Sequence, residues 1–515
     1  MSSPDLNRAL QRLDPSLHSL VSAAGSLLQG PCWAVGGFVR DVLLNRPPYD
    51  LDLAVGGDPG LAARALADAF GGHAFPLGEE HSTFRVALPA GSALAAIDIV
   101  ALRGGSIEAD LSERDFTLNA IAAPLSAAGL GALIDPFGAR LDIGARRVRM
   151  VSEAALVSDP LRLLRAARLA VELDFDVAPE TVDAVRRHAH RLPESAPERL
   201  RDELMRILGS DRAGRGLRLL DRLALLDVLL PELSTARGVG QPERYHHYDV
   251  FDHCLESVAV MDWLTGERPP ESRRQRQLRD AYEEVVAPFN LASYFREAAG
   301  GQSRLVLTKL AALLHDVGKP QTKAREADGR VRFLGHSEEG AKVGRAVCRR
   351  LRLGNKETHF VTRLIEEHLR PAQLSQSGAP TDRAVFRFFR DLGEAAPACL
   401  VLSLADAAAA AGPRLTLARW RAQLAYIAYV FARAAAQEHA AAGAGRRGKR
   451  HFVSGDRLIR ALKIAPGPEV GRLLDALDEA AATGEVKSEE EAIELARRLY
   501  ENRPPGERAG RAGTA

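Results

Sequence analysis

The apolar pattern of this chain changes period once, and that change constrains the fold more than any other feature. Up to about residue 145, short runs that read as strands ("CWAVGG", "DLDLAVG", "STFRVALP", "ALAAIDIVAL") alternate with runs of helical period ("SLVSAAGSLLQ", "PGLAARALADAF"). Strand side chains alternate between two faces and helical ones repeat every 3.6 residues, so this order predicts a small α/β domain. From Val151 onward nearly every segment has the helical period, including "DPLRLLRAARLAVEL" and "PERLRDELMRILG". The expected fold class is therefore α+β, with a mixed head followed by all-helical domains.

At 515 residues the chain exceeds one ordinary core, so several domains are expected. Apolar residues make up 46% and no uninterrupted apolar run is long enough to span a bilayer, which predicts no membrane segment. The N-terminus is charged and amphipathic without the apolar core of a secretory signal, so the expected location is the cytoplasm. Cys32, Cys254, Cys348 and Cys399 form no CxxC pair, which argues against a disulfide framework or zinc knuckle and for reduced thiols. A net charge of +2 announces no polyanion-binding protein by itself, so local clusters must carry any such role. Before Lys309 the basic residues are arginines. Guanidinium suits phosphate recognition, although a base-composition bias in the genome explains the same excess.

Asp50 and Asp52 lie two apart in an apolar run, so a strand presents both carboxylates on one face, close enough to share a divalent ion. Alone, the pair reads equally as two solvated acids on an exposed strand. The context favours chemistry: Gly36 and Gly37 form a turn whose bare backbone can approach a phosphate, Arg40 follows, and Asp98 lies on another candidate strand. Three acids meeting at one sheet end would make a two-metal phosphoryl-transfer site.

In order, "GGFVRD", "DLDLA", "ERDFTLNAIA", "IDPFGARLD" and "DPLRLLRAARLA" resemble the tRNA nucleotidyltransferase and bacterial poly(A) polymerase family, the class II branch of the polymerase-beta superfamily, from about Trp33 to Gly209. The resemblance implies a polymerase-beta-like head in which Asp50 and Asp52 hold Mg²⁺, Asp98 is the third catalytic acid, and Gly36, Gly37 and Arg40 cradle the triphosphate. It implies that Arg114, Asp115 and Asn119 contact the nucleotide ribose and phosphates, with Glu113 where a second arginine is usual. Asp159 and Arg162 match the base-reading motif, with Ser158 in place of its Glu. Three apart on a helix, they would offer an acceptor and a fork of donors to cytosine or adenine, and Arg165 and Arg168 would extend the positive face. Arg199 and Glu203 read as braces. The implied partners are tRNA, CTP and ATP. The segment "ALRGGSIEADLSE" is shorter than the family's flexible loop, which resembles the CC-adding branch; CCA addition and A or poly(A) addition are the alternatives.

The second half offers His253, His315, Asp316, His336, His368 and Asp406, imidazoles and carboxylates that suit a divalent metal and an activated water. "HDVGKP" at the end of an apolar run resembles an HD domain, which implies a metal site (Mg²⁺, Mn²⁺ or Ni²⁺) and hydrolysis of RNA 3′ phosphates or cyclic phosphates, with Lys319 balancing phosphate charge. A vestigial site in an RNA-gripping domain is the bland reading. His246 and His247 are expected on a loop. The domains expected are a catalytic head at 1–145, a base-reading and RNA-binding helical neck at 146–215, an all-α metal-binding HD domain at 216–440, and a helical tRNA-binding tail at 441–515. Arg446, Arg447, Lys449 and Arg450 would form the basic entrance to that tail, and a disordered end would close it. The competing class is an HD phosphohydrolase whose head serves only to bind RNA.

Overall fold

The computed structural model describes residues 5–77, 83–375, 378–443 and 451–502. Its chain forms two compact units, Met1–Pro231 and Glu232–Ala515. The basic run at 446–450 and the final residues from Arg503 lie outside the described residues.

The first unit is built on a seven-stranded sheet of order β3-β4-β5-β2-β1-β6-β7. Its strands are β1 (Cys32–Val35), β2 (Asp50–Val55), β3 (His73–Pro76), β4 (Thr83–Ala87), β5 (Ala96–Ala101), β6 (Ala122–Ser126) and β7 (Gly129–Leu130). Within this sheet, among the described residues, only β2 and β5 pair in parallel, and helix Pro59–Phe70 with the β3-β4 hairpin supplies the crossover that such a pair requires. The alternation in "DLDLAV" sorts the two faces of β2. Leu51 and Leu53 are fully buried with Ile97, Ile99, Phe38 and Val39, while Asp50 and Asp52 emerge opposite them. Each such aliphatic side chain contributes about 1.5–3 kcal/mol, and truncating Leu53 to alanine would cost about 2–5 kcal/mol.

Beyond the sheet the first unit is helical, as the change of period predicts. Asp58 caps helix Pro59–Phe70 through the amides of Gly60 and Leu61, and Ser152 caps helix Glu153–Ser158 through Ala155. Three helices position the site: α1 (Gly37–Leu43), α2 (Leu161–Leu173) and α3 (Pro197–Gly209), with α2 and α3 packed together.

In the second unit, α4 (Val250–Thr265), α5 (Arg304–Leu314), α6 (His336–Arg350), α7 (Asn355–Glu367) and α8 (Ala396–Ala411) surround an aliphatic core that includes Leu310, Leu314, Val361 and Leu400. The charged stretch after Gly266 is a helix, Arg273–Val286, begun by a Ser272–Gln275 capping box and burying Leu278 and Tyr282. One stretch, Asp382–Arg414, is apolar and long enough to cross a membrane by length and composition alone. Because 67% of its most apolar window is buried inside the unit, its apolarity has a use in the protein core. Helices Gly455–Leu462, Pro468–Ala482 and Glu489–Glu501 share a small core around Leu458, Leu473 and Leu477.

Candidate active sites

The parallel register places Asp50 opposite Ala96 and Asp52 opposite Asp98, bringing the three predicted acids to neighbouring positions of β2 and β5. Burial and the neighbouring Asp50 charge push the Asp52 carboxyl up to about 7, against the pull of Arg114. Burial and Asp98 raise Asp50 as well. Two desolvated acids facing each other hold unspent negative charge, which is the electrostatic condition for a divalent cation. Asp98 differs. Arg85 on β4 grips both its oxygens, Nε to Oδ1 at 2.7 Å and Nη2 to Oδ2 at 2.6 Å.

Asp50 and Asp52 open onto a cavity of about 390 Å³ lined by seven arginines and four aspartates. Gly36, Gly37, Arg40, Arg114, Asp115, Asn119, Arg162, Arg165 and Arg168 all reach it, so nine of the ten residues expected to bind nucleotide converge there. The lining is a network rather than a loose shell. Arg40 donates to Asn119 Oδ1 (2.7 Å), and Asn119 Nδ2 donates to Asp115 Oδ1 (3.1 Å). The other oxygen of Asp115 pairs with Arg165 (2.9 Å). Burial would raise Asp115, but Arg165 and the Asn119 hydrogen bond hold it below the usual carboxylate range. Gly36 has φ +66°, which favours glycine, and a Cβ there would stand 2.7 Å from Arg114 Nη1 and displace that guanidinium. Arg168 is buried against Glu203 (2.6 Å), the brace expected of that glutamate.

The tenth residue corrects the helical reading. Asp159 is not on the helix of Arg162; it is an extended residue between helix Glu153–Ser158 and α2, and its carboxylate is paired with Arg199 at 2.8 Å. Aspartate competes for its own local backbone, here the Leu161 amide at 3.2 Å, and so favours the entrance of a helix over its body. Arg162 instead donates to the carbonyls of Glu113 and Ala155, both at 2.9 Å. Sequence reasoning also missed Arg85, Arg103, Asp110 and Arg206. Arg85 gave no local signal, since its partners Asp98 and Asp50 lie on other strands. Asp110 is buried and holds Arg114 at 2.9 Å, a pair four residues apart that "EADLSER" displays.

In the second unit all six predicted ligands form one cluster. His253 comes from α4, His315 and Asp316 from the end of α5, His336 from the start of α6, His368 from the end of α7 and Asp406 from α8. Donor atoms of His253, His315 and Asp406, and those of His315, Asp316 and His368, lie within 4.8 Å of one another. His336 Nε2 is 3.4 Å from Asp316 Oδ1, and both atoms are buried without a hydrogen-bond partner among the described residues. The Nδ1 atoms of His315, His336 and His368 face the carbonyls of Ala312 (2.8 Å), Phe333 (2.6 Å) and Ile365 (2.7 Å). A carbonyl only accepts, so each Nδ1 carries a proton and each Nε2 is turned toward the cluster. This donor set fits a divalent transition metal or Mg²⁺.

The charges agree. Burial would depress His315, but Asp316 and Asp406 raise it to about 10, whereas burial and the His315 charge lower His368 to about 4. The acids thus attract positive charge into the cluster. Lys319, expected to balance phosphate charge, is buried, with Nζ 2.5 Å from Asp316 Oδ2 and 2.7 Å from Gln241. A lysine three residues on finds the nearest buried acid first. His246 lies on the expected loop, yet its ring meets His253 edge-on at 5.2 Å, and burial and Lys319 lower it to about 4.

Three family models match the chain: the poly A polymerase head domain at residues 32–149, the probable RNA and SrmB-binding site of polymerase A at 174–237, and the HD domain at 250–411. An A-adding tRNA nucleotidyltransferase of Deinococcus radiodurans is 38% identical over 91% of this chain and 96% of its own length. A CC-adding tRNA nucleotidyltransferase of Thermus thermophilus is 35% identical over 89% and 91%. Among solved structures, a complex of a CCA-adding enzyme with CTP shares the fold at 21% identity and a TM-score of 0.61, covering 98% of this chain and 100% of that one.

Proposed function

The chain belongs to the tRNA nucleotidyltransferase and poly(A) polymerase family, and from that premise we propose that it extends the 3′ end of tRNA with C residues, as CC or CCA, from CTP and ATP without a template. The observation that carries this is the pair Asp50 and Asp52 opening, under-compensated, onto an arginine-lined cavity of nucleotide size. Asp50 and Asp52 are the residues that would hold Mg²⁺. Bound there, the cation supplies charge neutralisation for the triphosphate and favours ionisation of the attacking hydroxyl.

Arg40 and the backbone at Gly36 and Gly37 orient the triphosphate, Arg114, Asp115 and Asn119 fix the sugar side, and Arg165 and Arg168 offset phosphate charge. The tRNA 3′ hydroxyl gives up its proton to solvent, its oxygen bonds to the α-phosphorus, the bond to the β-phosphate oxygen breaks, and pyrophosphate leaves with the electron pair. Arg162 reads the base edge, with Asp159 joining once it exchanges Arg199 for the nucleotide. We assign the head to 1–145, the base-reading neck to 146–215, the HD domain to 216–440 and a tRNA-binding tail to 441–515, and the cytoplasm as the place of action.

Purified protein with tRNA lacking its last three nucleotides, Mg²⁺, and CTP, ATP or both tests this reading. Extension by CTP that stops after two residues identifies CC addition. No extension by wild type, or undiminished extension by Asp50→Ala/Asp52→Ala, overturns the assignment. A addition is a second reading, favoured by the 38% identity to the A-adding relative; it requires extension by ATP alone of tRNA already ending in CC.

The HD cluster supports a second activity, hydrolysis of an RNA 3′ phosphate or 2′,3′-cyclic phosphate. His253, His315, Asp316, His336, His368 and Asp406 are the residues that would hold a divalent metal, whose role when bound is Lewis-acid activation of water. Release of phosphate from RNA 3′ phosphates, or ring opening of 2′,3′-cyclic nucleotides, that vanishes in His315→Ala supports it; either persisting in that variant removes the cluster from the reaction.

A further inference from the structure

Three carboxylates approach the nucleotide cavity from β2 and β5, but they are not equivalent. Asp50 and Asp52 line the cavity, whereas Asp98 is absent from its lining. Arg85 lies directly across the antiparallel β4-β5 ladder from Asp98. It closes a two-pronged ion pair on both Asp98 oxygens at 2.7 and 2.6 Å. The same Nη2 stands 3.7 Å from Asp50 Oδ2, while among the described residues no ion pair reaches Asp52.

A forked guanidinium-carboxylate pair engages both oxygens, neutralises the carboxylate and is among the stronger charge-assisted contacts. Each oxygen keeps a second lone pair, but a cation taken there would stand beside the Arg85 guanidinium, positive charge against positive charge. Strand register keeps Arg85 opposite Asp98. Cross-strand partners are set by register, and a slip of one residue would turn the buried Val86 out of the core.

We infer that Arg85 is a positioning residue that withdraws Asp98 from metal ligation, so that the nucleotidyl-transfer site rests on Asp50 and Asp52, with the Arg85–Asp98 pair a neutral brace beside Asp50. This rests on the reading of Asp50 and Asp52 as the metal-holding acids. It divides the three acids into two that meet the cation and one that holds the arginine. Removing either partner unbalances the site in opposite directions; removing both leaves its charge unchanged.

Mn²⁺ titration of the full-length protein, with free Mn²⁺ read by electron paramagnetic resonance, tests this. The isotherm of Asp50→Asn/Asp52→Asn supplies the contribution of the histidine cluster. Arg85→Ala, which frees a third carboxylate, is expected to tighten the remaining Mn²⁺ class roughly tenfold. Asp98→Asn, which releases the guanidinium onto Asp50, is expected to weaken it by a similar factor. The double variant Arg85→Ala/Asp98→Asn is expected within about twofold of wild type, and Arg85→Lys between wild type and Arg85→Ala because lysine keeps the charge without the fork. A merely structural role would lower Tm in each variant without opposite shifts in affinity. Should Arg85→Ala fail to fold, Asp98→Asn and Arg85→Lys still carry the test: affinity unchanged in both overturns the inference. A double variant tenfold or more weaker than wild type makes Asp98 a ligand and overturns the inference alone. An Asp50→Asn/Asp52→Asn isotherm identical to wild type overturns it together with the metal-site reading.

Discussion

The acidic pair of the first unit and the histidine cluster of the second meet the same problem, holding a cation, by opposite electrostatic means. Asp50 and Asp52 sit beside each other with too little positive charge, and the Asp52 carboxyl is lifted to about 7 by burial and its neighbour. The cluster around Asp316 is compensated without metal, because Lys319 and the histidines hold that carboxylate well below its usual range. The first site is strained until charge arrives, while the second is braced before it arrives. A site that binds a mobile nucleotide and its cation needs the former, and a resident metal is served by the latter.

The largest effect that would break this contrast is on chemistry. Asp52→Asn is expected to lower nucleotide addition by about 10³-fold or more, measured as CTP incorporation into tRNA. The same change should raise the Tm of the protein in EDTA. A carboxyl whose folded value is raised binds its proton more tightly folded than unfolded, so the penalty it imposes is absent below pH 3.8 and complete above about 7. The stabilisation by Asp52→Asn should therefore grow as pH rises through that window, and a flat Tm difference would refute the strain.

Lys319→Met should do the reverse in the second unit. It leaves Asp316 buried without its cation and is expected to cost about 3–5 kcal/mol, seen as a lower urea midpoint. An unchanged midpoint would mean that the cluster is not pre-braced. Gly36→Ala comes next, with an expected loss of about 1–3 kcal/mol and a raised KM for CTP, since φ +66° and the 2.7 Å approach to Arg114 both oppose a side chain. The smallest change is Arg199→Ala. Its partly exposed pair with Asp159 is worth about 0.2–1 kcal/mol, so Tm should hardly move while discrimination between CTP and ATP shifts. A Tm loss without any change in discrimination would make that pair a plain brace.

Much of the fold and of both sites was legible before the structure. The alternation in "DLDLAV" required Asp50 and Asp52 to share a face opposite Leu51 and Leu53, because strand side chains have a period of two. The helical period after Val151 announced the long helical remainder, and nine of the ten residues expected to bind nucleotide line one cavity. The six residues expected to hold a metal could be named because each residue type has the right donor chemistry, wherever its helix lies, and they do cluster.

What only the tertiary structure decided is which charged groups neutralise one another. Arg85 meets Asp98 through strand register, Asp159 turns to Arg199 from another helix, and Lys319 is drawn inward by Asp316 and Gln241. Spacing along the chain dictates which side chains share a face of one element, a local consequence of backbone geometry. Pairing between elements depends on register and packing, which the whole core sets at once, and it is this pairing that separates a ligand from a brace.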